Sequence, residues 1–454
     1  MTFKLSPADW LICLFLCVLT FLLSRYGRKL WRWLRNYFKK KRGPRALKPK
    51  SPADCPLCCE GCTHLPAQPS QEIVPWSEKK SRRGRPKIIN TNGFACLNPI
   101  CHYFAVADQE IHALVSNGCR GKQRIRYFKC QACGSCRTSR YCTPLYWLKT
   151  PLATVAMVMT ALSEGVDLSA AERIFGHSHS TLSRWLMKAG EHSHRLHDRL
   201  LHQSVEVGHL QLDELVTKVK RDEERLWIWT AVTAGSKLIM AIHIGRRSSE
   251  DAHRLLHQVW QRLKPDCLPI FTSDGLNQYF YGITAHFGRW LKPPKARKFH
   301  WLPDPRLLYA QLRKRRRGRK LSFLYSIVRL GERAFLKAGL IALGFTGTVQ
   351  TAFVERANLT LRELIAPLSR RTWSIAYDRR HLWLHLQWGL AYYHFCRPHM
   401  SLRKNIRGPS KYRHRTPAMA AKLARYRWEV RDLLQLPVPE EVWISPFAAT
   451  CRCR

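Results

Sequence analysis

The sequence predicts a multidomain chain of mixed α+β and α/β class: a small cysteine-rich module, a helical segment and then a mixed-sheet domain. Three observations carry this. Eleven of the 17 cysteines lie between Cys55 and Cys142, several of them three residues apart. From residue 152 to 200 apolar residues recur with helical spacing. From residue 205 the period becomes that of strands, interrupted by an amphipathic helix. The 454 residues suit two to four domains. The segments read as 1–45 (apolar helix and basic stretch), 46–92 (linker), 93–148 (cysteine module), 149–203 (helical), 204–370 (mixed sheet, with a basic insertion at about 288–350) and 371–454 (helical).

Charge narrows the function classes first. Lys and Arg number 77 against 31 Asp and Glu, a formal net charge of +46. Such a chain attracts polyanions, with nucleic acid first and an anionic membrane surface as the weaker alternative.

Residues 10–23, "WLICLFLCVLTFLL", are almost wholly apolar. Fourteen residues are short for a spanning helix, which needs about 20. They fit a signal-peptide core, a short membrane anchor or a buried helix, and no small-residue cleavage site follows. Residues 25–50 then carry twelve Lys and Arg and no acid, a run that stays on the cytoplasmic side. The expectation is a cytoplasmic, nucleoid-associated body with membrane association through residues 8–24. A start codon placed too far upstream explains the segment as well.

The linker holds two candidate sites. Cys55, Cys58, Cys59 and Cys62 with His64 have metal-ligand spacing, although eight residues seldom wrap one ion alone. "RRGRPK", Arg82–Lys87, resembles an AT-hook: Gly and Pro hold the backbone extended, so basic side chains enter a narrow minor groove. Arg82, Arg83, Arg85 and Lys87 are the DNA-binding candidates, and a solvated basic linker is the plain alternative.

In the cysteine module, Cys96 and Cys101 precede "YFKCQACGSC", which holds Cys130 and Cys133. Two knuckles about thirty residues apart look like a zinc ribbon, in which four thiolates give tetrahedral Zn²⁺. Cys119, Cys136 and Cys142 are left over, so the ligand set stays open, and a disulfide framework is the competing explanation. "LSAAERIFGHSHSTLSRWL", Leu168–Leu186, has helix-turn-helix form. Its first helix is expected to carry Ala171 and Ile174 inward, with Gly176 making the turn. The second helix, capped at Ser178–Ser180, buries Leu182, Trp185 and Leu186. Ser180, Thr181, Ser183 and Arg184 are then free for a major groove; an ordinary helical hairpin is the alternative.

Residues 205–215, 226–234 and 238–244 read as strands, 248–263 as an amphipathic helix and 268–273 as a fourth strand ending at Asp274. That order is that of the ribonuclease H-like sheet. The first strand contains "HLQLDELV", with two carboxylates in a buried pattern, which is costly without a cation or a basic partner. Between Arg289 and Lys320 lie thirteen Lys and Arg and one Asp. "TAFVERANLTLRELI", 351–365, is again helical.

Four pieces resemble the DDE transposases of bacterial insertion sequences, most of all the group with an N-terminal zinc ribbon and helix-turn-helix. They are "QLDEL" at Asp213, "FTSDGLNQY" at Asp274, "FVERANLTLR" at Glu355 and "YYHFCRPHMSL" near the C-terminus, and the similarity spans roughly residues 93–420. The acids stand 61 and then 81 residues apart, and Arg362 follows Glu355 by seven. The resemblance implies DNA transposition: binding of double-stranded transposon-end and target DNA by a homo-oligomer, then strand cleavage and transfer. It implies Mg²⁺ or Mn²⁺, as two ions about 3.5–4 Å apart, besides Zn²⁺. Asp213 would bridge both ions, Asp274 and Glu355 would hold one each, and Arg362 would meet the substrate phosphate. Side chains alternate along a strand, so Glu214 is expected to face away from Asp213 as a supporting residue. The rival reading is a membrane-tethered DNA-binding regulator with a catalytically inactive nuclease-like scaffold.

Overall fold

A computed structural model describes residues 74–76, 94–98, 100–104, 106, 111–222, 224–291, 298–318, 320–406 and 412–438. The apolar segment 10–23, the Cys55–Cys62 cluster and the basic residues Arg82, Arg83, Arg85 and Lys87 lie outside them. Among the described residues no helix is long and apolar enough to cross a membrane. All of them belong to one unit, Gln68–Trp443.

The cysteine module is a three-stranded antiparallel sheet, β1 (Leu114–Arg120), β2 (Ile125–Cys130) and β3 (Cys136–Thr138). Its core is small: Tyr103, Ala113, Leu114 and Phe128 around three buried cysteines, with Trp76, Phe94 and Ile111 partly buried. That is little apolar surface to hold a module, which gives the cysteines a structural task.

Helices α1 (Leu152–Ser163), α2 (Leu168–Phe175) and α3 (His179–Leu201) follow. Asp167 caps α2 by accepting from Ala170 N. Gly176 ends α2 with φ +67°, where a Cβ would be strained. Glu172 Oε1 accepts from His179 N at 3.0 Å, so α2 caps the start of α3. Leu182, Trp185 and Leu186 are buried as expected, and so is Ala171. Ile174 is not: it is 64% exposed. In this eight-residue helix Leu168, Ala171 and Phe175 turn inward, and Ile174 lies one residue off that face.

The second half is a mixed α+β arrangement around a six-stranded mixed sheet, and the described chain carries ten α-helices in all. Strands β4 (His209–Thr217), β5 (Leu226–Thr233) and β6 (Ile239–Gly245) run antiparallel in succession. Helix α4 (Ser249–Arg262) crosses over to β7 (Ile270–Ser273), which pairs parallel to β4. After α5 (Asn277–His286) and the hairpin β8 (Gly288–Leu291) and β9 (His300–Pro303), strand β10 (Tyr309–Arg317) pairs parallel to β7. Strand β11 (Lys320–Leu330) returns antiparallel as the edge, giving the order β11-β10-β7-β4-β5-β6. The stretch 288–350 is therefore not wholly an insertion. Tyr309 and Ala310 are fully buried at the root of β10, and the arginines beyond them hide a core strand in the sequence.

Helices cover both faces. Leu210 and Leu212 of β4 pack with Trp229, Leu255, Leu256, Tyr279 and Ile283 on the α4–α5 side. The other face packs against α6 (Arg333–Ala342), α7 (Ala352–Leu364) and α8 (Arg379–Ala391). Residues of α1–α3 join this second core with those of α8, so residues 149–203 and 371–438 contribute to one apolar cluster. Helices α3 and α8 touch at Gly190, where a Cβ would stand 2.2 Å from the Leu384 carbonyl oxygen. The chain then forms β12 (Lys404–Asn405), β13 (Tyr412–Arg413), α9 (Pro417–Ala420) and α10 (Val430–Gln435).

Candidate active site

Register brings the acids together. Leu212 of β4 pairs with Ser273 of β7, so the next residues, Asp213 and Asp274, lie side by side on parallel strands. One oxygen each of Asp213, Glu214 and Asp274 lie within 4.8 Å of one another. Here the structure departs from the sequence reading of Glu214. Its Cβ does share the Leu212 face, but its longer side chain carries the carboxylate back to the same point. There Glu214 accepts from Arg247 Nε (3.0 Å) and from the Tyr279 hydroxyl (3.0 Å).

Three carboxylates this close are unfavourable when all are charged. Burial, and next the Glu214 charge, push Asp213 up to about 7. Burial also raises Glu214 and Asp274. A divalent cation relieves such a set, and hard oxygen donors are the ligands Mg²⁺ prefers, so the donor set fits a metal centre.

Glu355 lies outside this trio. It sits in the first turn of α7, half exposed, and accepts from Lys314 Nζ at 2.8 Å and Thr351 Oγ1 at 3.0 Å. Its charge still raises Asp274. Arg362, on the same face of α7, is half-buried. Burial lowers its pKa, and the Asp213 charge opposes that shift.

Two residues missed by the sequence reading build the site. Asn358 donates from Nδ2 to Asp213 Oδ2 at 2.8 Å and accepts from Thr230 Oγ1 at 3.0 Å. It is the Asn of the quoted "VERAN", one turn after Glu355. Gln211 shares the Asp213 face of β4. Its Oε1 accepts from Phe353 N and Val354 N, both at 3.0 Å, and its Nε2 donates to the Gln350 carbonyl at 2.8 Å. One buried amide thus caps α7 and sets where Glu355 begins. We expect Gln211→Leu to lower stability by about 2–4 kcal/mol, because these backbone groups lose their partners. Urea unfolding within experimental error of the parent would show that α7 is positioned otherwise.

The four cysteines expected to hold zinc also converge. Cys96, Cys101, Cys130 and Cys133 have sulfurs within 4.8 Å of one another, with Cys96–Cys133 at 3.6 Å and Cys101–Cys130 at 3.8 Å. Tetrahedral zinc with bonds of about 2.3 Å requires sulfurs about 3.8 Å apart, so the cluster can hold that ion. The hydrogen bond from Cys96 holds Cys130 down to about 5 and raises Cys96 in turn, while burial pushes Cys101 up to about 11. Cys119 and Cys136 stay exposed and Cys142 half-buried, outside the cluster.

Of the helix-turn-helix candidates, Ser180 and Arg184 are exposed at the start of α3, and Thr181 and Ser183 are half-buried. In comparisons with known proteins, no family model and no curated sequence matches the chain.

Proposed function

We propose that the chain is a DDE-type transposase with a ribonuclease H-like catalytic domain, which cleaves and joins DNA strands with bound divalent cations. One observation carries the reading: Asp213, within β4, and Asp274, just past the end of the parallel strand β7, lie side by side in a half-buried acidic cluster. The sheet supports it, since three antiparallel strands are followed by parallel β7 and β10 in the order expected for that fold. The net charge of +46 supports a nucleic-acid substrate.

Asp213 and Asp274 would hold Mg²⁺ or Mn²⁺, joined by Glu355 once Lys314 lets go of it. Bound there, the ions supply an activated oxygen nucleophile and a stabilised leaving oxygen. Asn358 fixes one oxygen of the Asp213 carboxylate by donating to Oδ2. Arg362, half-buried on the same face of α7 as Glu355, would take a phosphate. Zn²⁺ on the four cysteines would hold the β1–β3 module, and the exposed start of α3, with Arg184, would read end DNA. The second reading, a DNA-binding regulator without catalysis, draws on the Lys314–Glu355 pair, which neutralises the helix carboxylate.

Denaturing gels separate the two. Purified protein is incubated with Mg²⁺ or Mn²⁺ and duplex DNA copied from the sequence flanking its reading frame. We expect nicked and joined products with the parent. Glu355→Gln should lower the rate at least about 100-fold, against a smaller loss for Glu214→Gln, whose carboxylate is already held by Arg247 and Tyr279. An inactive parent favours the regulator. An active Glu355→Gln beside a dead Glu214→Gln makes Glu214 the third ligand and removes the helix carboxylate from the assignment.

A further inference from the structure

Beyond the carboxylates, the β10–β11 pair runs on as a two-stranded ribbon with two unlike faces. Arg313 pairs with Tyr325, Lys314 with Leu324 and Arg315 with Phe323. Residues directly opposite in an antiparallel pair share a face. Arg313, Arg315, Phe323 and Tyr325 therefore line one face, and Lys314 points to the other, where it meets Glu355.

Among the described residues the outer part of the first face, at Arg315, Phe323 and Tyr325, is exposed. Phe323 is 60% and Tyr325 37% exposed, yet their rings stack at 5.7 Å and 19°. Exposed aromatic rings kept parallel on one strand form a platform, and opposite arginines they are set among positive charge. Arg313 runs from this face to the site: its side chain packs over Gly275, where a Cβ would lie 3.3 Å from Arg313 Cγ. Its Nε is buried without a hydrogen-bond partner among the described residues. A guanidinium left so, packed over Gly275, has donor capacity for an incoming anion.

We propose that this face binds an unpaired DNA strand: bases stack on Phe323 and Tyr325, Arg315 meets the backbone, and Arg313 takes the phosphate nearest Asp274. Flat rings flanked by cationic side chains suit single strands of any sequence, because every base has a π-face. The duplex has its bases already stacked and offers this platform little. The proposal rests on the DNA-cleaving reading only for the origin of the strand, which cleavage would free next to the ribbon. The strand-binding claim stands on the ribbon alone.

The test uses the full chain without added divalent cation, so that binding is read apart from cleavage. Fluorescence anisotropy measures affinity for labelled oligo-dT of about 16 nucleotides and for a duplex of the same length. We expect Phe323→Ala/Tyr325→Ala to weaken oligo-dT at least about tenfold and to change the duplex less than twofold. Phe323→Leu/Tyr325→Leu, which keeps apolar bulk and guards against misfolding, should lose the same. Arg313→Gln/Arg315→Gln should make the salt dependence for oligo-dT shallower by about one to two phosphate contacts. Photocrosslinking of iodouracil-substituted oligo-dT to the parent should label the segment Phe323–Arg329. Equal losses for single strand and duplex, or crosslinks confined to other segments, overturn the proposal. So does a change of oligomeric state in the aromatic variants with oligo-dT affinity kept, which makes the face a contact between copies of this chain. If oligo-dT binds as described and no variant or parent cuts DNA, the cleavage reading fails and the strand site stands.

Discussion

Asp213→Asn is expected to cut and join no DNA, and in metal-free buffer at pH 8 to be at least as stable as the parent. The two results come from one cause. The Asp213 carboxyl is pushed up to about 7 in the folded chain by burial and by the charges of Glu214 and Asp274. Unfolded, it returns to the ordinary value near 3.8. A raised carboxylate favours the fold while the folded form holds the proton and the unfolded form does not need to lose it. The contribution is therefore intact below about pH 4 and is lost as pH rises toward 7. Each pH unit between the two values costs about 1.4 kcal/mol, so a few kcal/mol disappear across that window. Asparagine does not ionise, and its amide still has Asn358 opposite. The parent's stability, followed by thermal melting from pH 4 to 8 without metal, should decline more steeply than that of the variant. Mg²⁺ should reduce the difference by binding the folded parent. On the proposed metal-dependent reading the activity loss should be at least about 1,000-fold, since the acidic site would lose one of its carboxylates. Asp274→Asn should behave alike. Parental cleavage by Asp213→Asn would leave Asp213 as an ordinary half-buried carboxyl, and identical pH profiles would show that its proton is held no more tightly in the folded chain than in the unfolded one.

Cys130→Ser should release zinc and unfold the β1–β3 module while the six-stranded domain stays folded. A structural zinc site contributes on the order of 10 kcal/mol of folding free energy at neutral pH. The module has little else, since its core rests on a few side chains around Cys96, Cys101 and Cys130. Metal analysis should fall from one zinc per chain to none, and limited proteolysis should cut between Leu114 and Thr138. The larger domain, with its own two cores, should keep its thermal transition. Unchanged zinc in Cys130→Ser would remove these cysteines as the ligand set. Unchanged protease resistance without zinc would show that the small core suffices.

Much of this organisation was legible in the sequence because it depends on local pattern. Strands β4 to β7 and helices α4 and α7 fall within a few residues of their expected bounds, since period-2 and period-3.6 apolar spacing is a property of each segment alone. The four clustered cysteines and the adjacency of Asp213 and Asp274 were likewise foreshadowed, by ligand spacing and by a carboxylate at a strand end. Strand β10 was obscured: Arg313–Arg317 read as a basic insertion, although Tyr309 and Ala310 anchor the strand in the sheet. Ile174 was misplaced because a two-turn helix has room for only one inward stripe.

By itself, the sequence determined the class of fold, the polyanion-seeking charge and the residue types able to hold cations. Tertiary structure alone decided which of those residues meet. Alternation gives the direction of the Glu214 Cβ, but Arg247 and Tyr279, from other elements, draw its carboxylate to Asp213 and Asp274. Spacing puts Glu355 on a helix, but Gln211 sets where that helix starts, and Lys314, from a strand across the sheet, occupies its carboxylate. Such meetings depend on strand register and on the reach of long side chains between segments far apart in the chain. No local period encodes them.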